Sequence, residues 1–185
     1  FDLLDKTVQK KVDQELEELR PDLLTVSPPC THEGGWDHLS KCFRSPLEMA
    51  LIIRENRIRR QFCTDQIRKQ LQRGGDFLLE HPWGSAFWDD DGLESLRRKY
   101  GIFRVDMCAY DLKCPDSNLP IRKATGLMCS RLIAPYMKQC PGCAEHQVVA
   151  GQLSNGMRRS TFVAKYTPQF VQSVLQALAM VGLRE

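Results

Sequence analysis

Apolar positions recur at helical spacing from the start of the chain. In DKTVQKKVDQELEELR, Val8, Val12, Leu16 and Leu19 fall four, four and three residues apart with the charges on the other side. This pattern predicts an amphipathic helix that Pro21 stops. From Leu23 to Ser27 the period changes to a short apolar run rich in strand formers, bounded by Pro21-Asp22 and Pro28-Pro29, which predicts a buried strand. Helix signals return at Ser45, a capping residue, with Pro46 suited to a first turn and Glu48 completing a capping box. Leu47, Leu51, Ile58, Phe62 and Leu71 continue a broken apolar stripe as far as Gly74-Gly75, a stop signal. A second apolar run, Phe77 to Leu79, follows at once. Strand, long helix and strand in this order predict two parallel strands joined by a crossover, with the helix over one face.

A shorter helix is predicted from Gly92 to Tyr100, ended by Gly101. Two extended runs follow, Ile102 to Leu112 and Ile121 to Cys129, separated by the turn-rich Cys114-Pro115-Asp116-Ser117-Asn118. They predict a hairpin at one edge of the sheet. Positions 151–160 read as loop. In the last helix Thr167 caps, Pro168 opens, and Phe170, Val171, Val174, Leu175, Leu178 and Val181 form a core-facing stripe. The fold expectation is an α/β domain spanning residues 1–185, with a mostly parallel sheet, an antiparallel hairpin at one edge and helices on both faces.

Composition narrows this picture. A chain of 185 residues suits one compact domain, and 42% hydrophobic with 26% charged residues is the balance of a folded soluble protein. No apolar run approaches the roughly 18 residues of a membrane helix, and FDLLDKTVQKK lacks the apolar core of a signal peptide. The eight cysteines are thinly spread, so they read as thiols in an intracellular, reducing compartment. A net charge of +3 allows a polyanionic partner without requiring one. The sequence opens without an initiator Met and is expected to be an excised piece.

In an open parallel sheet, loops leaving the carboxyl ends of neighbouring strands converge on one crevice, where ligands usually bind. Here those loops are SPPCTHEGGW at 27–36 and EHPWGS at 80–85; the first presents Cys30 and the second Glu80. A thiol beside a carboxylic acid suits covalent catalysis at an electron-poor ring carbon: the thiolate adds while the acid protonates a ring nitrogen. Taken singly, Cys30 reads as a small buried hydrophobe and Glu80 as an ordinary strand-end carboxylate. Their joint placement is what points to chemistry.

These residues resemble the cytosine-C5 DNA methyltransferases. The family's nucleophile follows a proline in a strand-end loop, like PDLLTVSPPCT here, and its acid heads a Glu-Asn-Val-like segment, like FLLEHPWGS. The opening FDLLD resembles the segment whose aspartate meets the adenine end of S-adenosylmethionine, which carries Asp2 over; Pro29 accompanies it on the cofactor side. MCAYDL, IRKATGLMCS and the later Cys140, Cys143 and His146 are similar to a viral and transposon-borne branch, and KYTPQFVQSVLQAL is similar to the closing helix. The resemblance implies a Rossmann-like, class I methyltransferase-like sheet and a DNA substrate whose cytosine is flipped out. Cys30 would add to C6, Glu80 would assist at N3, Arg122 would orient the base, and the methyl group would pass from S-adenosylmethionine to C5. The sequence departs from the pattern at Thr31, His81 and Asp111, where the family has Gln, Asn and Gly, and no glycine-rich cofactor motif precedes Asp2. The alternative of a catalytically inactive nucleic-acid-binding or scaffold domain of a mobile element therefore stays open, with RNA an open alternative to DNA.

Three further features carry chemistry. Cys140-Pro-Gly-Cys143-Ala-Glu-His146 offers zinc three ligands, with Cys129 or Cys114 nearest in sequence for a fourth; a redox pair or a plain turn also fits it. Arg54, Arg57, Arg59, Arg60, Arg68, Lys69 and Arg73 could form a phosphate-binding helix face or a solvated one. Trp83, Phe87 and Trp88 could wall a base pocket or fill the core, with core filling the expectation for Phe87. Finally, His32 beside Cys30 would favour a thiolate, and Asp89-Asp90-Asp91 suits a helix start.

Overall fold

The computed structural model describes residues 2–30 and 44–182. Helix α1 (Lys6–Leu19) is capped by Asp5, whose carboxylate accepts the Thr7 amide, and strand β1 (Leu23–Val26) follows. Helix α2 (Pro46–Gln72) opens on the reciprocal capping box of Ser45 and Glu48 and leads through Gly74, at φ +83°, into β2 (Asp76–Pro82). Two short 3₁₀ turns precede α3 (Glu94–Tyr100) and β3 (Phe103–Asp106). Then come a 3₁₀ turn at Met107–Tyr110, β4 (Ala124–Cys129), the short α4 (Arg159–Phe162) and α5 (Pro168–Val181), capped by Thr167.

The sheet order is β1-β2-β4-β3. β1 and β2 run parallel, with Leu23 opposite Asp76 and Val26 opposite Leu79, as the strand–helix–strand order requires. β4 lies between β2 and β3 and is antiparallel to both. The sheet is thus open and mixed, with one parallel pair, where a mostly parallel sheet was expected. The hairpin is the cause: its second strand, and not its first, joins β2, so reversing the chain once adds two antiparallel pairs. The extended runs are also shorter than their apolar pattern. A strand cannot continue through Asp111 at φ +62° or Lys123 at φ +26°, and β3 stops at Asp106 while β4 starts at Ala124.

Alternation along β2 sends Phe77 and Leu79 to one face and Leu78 to the other, and each face carries its own core. On the first face Phe77, Leu79 and Met128 pack with Ile67 of α2, Phe87, Trp88, Leu93 and Leu96. On the second, Leu78, Leu127 and Val105 pack with Tyr110 and with Phe170, Val174, Ala177 and Leu178 of α5. Helices therefore cover both faces, and Phe87 and Trp88 are core residues, whereas Trp83 is exposed.

The helical stripes are only partly used. Leu47 and Leu51 of α2 are exposed, and the same helix buries Asn56, Thr64, Gln66 and Gln70 beside Ile67. The polar positions serve junctions: Gln70 donates to the Pro21 carbonyl at 2.6 Å and Gln66 to Asp13 at 3.1 Å, tying α2 to α1 and to the turn before β1. In α5, Val171 and Leu175 are exposed, since a helix laid on a sheet buries a narrower stripe than its apolar residues span. No described helix is long and apolar enough to cross a membrane.

Candidate functional site

Parallel pairing brings the carboxyl ends of β1 and β2 to one lip of the sheet. Glu80 is the third residue from the end of β2 and, by alternation, shares the face of Leu78 beneath α5. A cavity of about 270 Å³ opens there, lined among others by Thr25, Ser27, Glu80, Tyr166 and Phe170. Cys30, four residues beyond β1, is exposed.

Tyr166, which the motifs did not single out, lines this cavity with Glu80, and Lys123 packs on its ring. The Lys123 ammonium lies 4.9 Å from the centre of the Tyr166 ring. Burial lowers the Lys123 pKa below the ordinary lysine value, while the charges of Glu80 and Cys30 oppose that shift. Burial raises the Tyr166 phenol, and Glu80 and Cys30 push it further the same way. The Tyr166 hydroxyl also lies 3.5 Å from Ser27 Oγ. Lys123 is held at φ +26°, an unfavourable conformation for a side-chain-bearing residue, and the Met107 amide donates to the Arg122 carbonyl at 2.7 Å just before it. Within the IRKAT segment Arg122 is exposed, and the next residue, Lys123, is half-buried against the Tyr166 ring.

His81 is fully buried on the opposite side of the sheet from Glu80, its ring 4.3 Å from that of Phe87. Leu3, Val12, Leu16, Leu24, Pro29 and Phe62 help line a largely apolar cavity of about 530 Å³ between α1, β1 and α2. Asp2 is exposed, and its carboxylate accepts the Leu4 amide at 3.0 Å in a local turn. It does not line that cavity. His32 and Glu33 lie outside the described residues.

The basic helix face is largely neutralised. Arg59 pairs with Glu55, Arg60 with Asp90, Arg68 with Asp65, Lys69 with Asp13 and Arg73 with Glu17. Arg54 and Arg57 stand exposed. Asp90 also caps its own turn, accepting the Gly92 amide at 2.9 Å.

A second cluster forms below the β3 edge. The ligand atoms of Cys108, Cys140, Cys143 and His146 all lie within 4.8 Å of one another, a set compatible with zinc. The fourth member is Cys108, and neither Cys129 nor Cys114 takes part: both are packed in the α5-side core. The 3₁₀ turn after β3 swings Cys108 out to meet the later loop, a placement that sequence distance could not show. The amides of Cys143 and Gly142 donate to the Cys140 sulfur and hold its pKa down to about 6, whereas burial, then the neighbouring thiols, push Cys108 up to about 12. Cys140 Sγ lies 3.4 Å from His146 Nε2. No protein family, curated protein or solved structure matches the chain.

Proposed function

We propose that the chain is a cytosine-C5 methyltransferase-like domain acting on DNA, with the lip between β1 and β2 as its base-binding site. The observation that carries the reading is the parallel pairing of β1 with β2, which brings the strand ends leading to Cys30 and Glu80 to one lip of the sheet. A Rossmann-like likeness is supported by the parallel crossover and the antiparallel hairpin at the sheet's end. Cys30 is the nucleophile toward C6 of a flipped cytosine, and Glu80 passes a proton to N3 as electron density moves into the ring. The Lys123 ammonium favours the Cys30 thiolate by proximity of opposite charge, and Arg122, on the adjoining surface, contacts the base or its backbone. S-adenosylmethionine is the methyl donor this reaction requires. Asp2 holds a local turn and does not line the adjoining cavity, so the reading rests on the base-binding side.

The test is trapping on DNA containing 5-fluorocytosine in the presence of S-adenosylmethionine. A covalent adduct at Cys30 is expected, absent in Cys30→Ala and slowed by about a hundredfold or more in Glu80→Gln. No adduct when cofactor binding has been demonstrated would overturn the assignment. The engagement of Asp2 favours one second reading, a catalytically silent nucleic-acid-binding or scaffold domain. That reading predicts salt-sensitive DNA or RNA binding that survives both substitutions, with no methyl transfer.

A further inference from the structure

We propose that Cys108, Cys140, Cys143 and His146 bind one Zn²⁺ in a closed, structural Cys₃His site that pins the 137–147 segment to the turn after β3. The site is independent of the methyltransferase reading.

Four donors of the right type converge from two distant parts of the chain. Tetrahedral Zn²⁺ with Zn–S bonds of about 2.3 Å needs ligand atoms about 3.8 Å apart, so a set already gathered within 4.8 Å closes on the ion by small side-chain movements. Three thiolates and an imidazole favour zinc over the oxygen-seeking cations, and with all four positions filled by protein no place remains for a substrate.

The surroundings support the ligands as a metal site's do. In Cys140-Pro-Gly-Cys143, Gly142 takes φ +94°, a turn that brings the Cys143 sulfur back beside that of Cys140. Buried Asp106 accepts the Cys140 amide at 3.0 Å and is itself held by Arg104 at 2.9 Å. The segment has little else to order it: between Cys140 and Gln147 it has no regular secondary structure, and only Cys143 and His146 there escape full exposure. Its two ends are anchored by the Lys138 amide on Tyr110 Oη at 2.6 Å and by the Gln147 amide on the Pro120 carbonyl at 2.9 Å. A metal in the middle supplies the missing cross-link. Cys108 lies next to Met107, whose amide holds the Arg122 carbonyl, so the same cross-link also steadies the approach to Lys123.

The experiment is metal analysis of the reduced chain, followed by exchange to Co²⁺. One zinc per chain is expected, with cobalt giving the intense d–d and thiolate charge-transfer bands of a tetrahedral sulfur-rich site. Cys108→Ser and His146→Ala should each lose the stoichiometric metal, while Cys30→Ser keeps it. Because a ligand variant can fail to fold, the wild-type chain is also melted with and without chelator, and metal removal is expected to lower Tm. Absence of zinc together with no cobalt–thiolate absorption, iron in place of zinc, or full metal content in Cys108→Ser would each overturn the assignment.

Discussion

At the residue scale, Lys123 joins strain, burial and charge at one point. A lysine whose folded pKa is depressed opposes folding at every pH below its ordinary value of 10.5, and the penalty disappears only above that value. Lys123→Met removes the buried charge, so thermal stability at neutral pH is expected not to fall. On the proposed reading the same change withdraws the cation that favours the Cys30 thiolate, and alkylation of Cys30 should slow by about tenfold, the effect of one pKa unit on thiolate content. Peptide mass spectrometry after a timed iodoacetamide pulse measures it; undiminished reactivity would separate Lys123 from the thiol. Gly126 is constrained in another way. A Cβ there would meet the Trp88 ring at 2.8 Å, and that indole is fixed by its hydrogen bond to the Pro82 carbonyl at 2.9 Å. Gly126→Ala should cost about 1–3 kcal/mol through overpacking, read from urea unfolding followed by tryptophan fluorescence.

Among the elements, α1 is the least embedded, with no fully buried residue, and it depends on polar contacts to α2. The hydrogen bond from Lys69 lowers the Asp13 pKa below its ordinary 3.8. A depressed carboxylate gives stability that is present above that ordinary value and is lost as pH falls through the lower, folded value. Docking of α1 should therefore loosen in acid, and hydrogen exchange along residues 6–19 should speed up below pH about 4 relative to the rest of the chain. Asp13→Asn should remove this pH dependence. The side chain is 43% exposed, so its effect on global stability should stay below about 1 kcal/mol. An exchange profile along α1 indifferent to pH would show that apolar packing alone holds the helix.

For the whole molecule, the notable fact is that one thin sheet serves two cores. Leu78 and Leu79 are neighbours in β2, yet they belong to opposite clusters, so neither core can come apart without breaking the strand shared by the other. Unfolding should be a single transition. Tryptophan emission, in which Trp88 is buried on one face, and hydrogen exchange along α5, which covers the other through Phe170 and Val174, should give coincident denaturation curves. Leu79→Ala should lower stability by about 2–5 kcal/mol and shift both curves together. Displaced curves would mean that the faces unfold separately.

Much of this fold could be read along the chain because local chemistry decides it. Ser45 and Glu48 cap each other within one turn, Thr167 and Pro168 start a helix by their own conformational preferences, and a strand, a long helix and a strand leave only a parallel crossover. The common end of the strands that lead to Cys30 and Glu80 followed from the same rule, since adjacent parallel strands end at one lip. Tertiary structure decided what depends on residues far apart in sequence. It set β4 between β2 and β3, placed Tyr166 in one cavity with Glu80 and Lys123 against the Tyr166 ring, paired most of the basic helix face with acids, and supplied Cys108 as the fourth member of the thiol–imidazole cluster. The physical reason is range. Capping and periodicity act within a turn or two of chain, whereas burial, ion pairing and ligand convergence depend on which surfaces the folded backbone brings together.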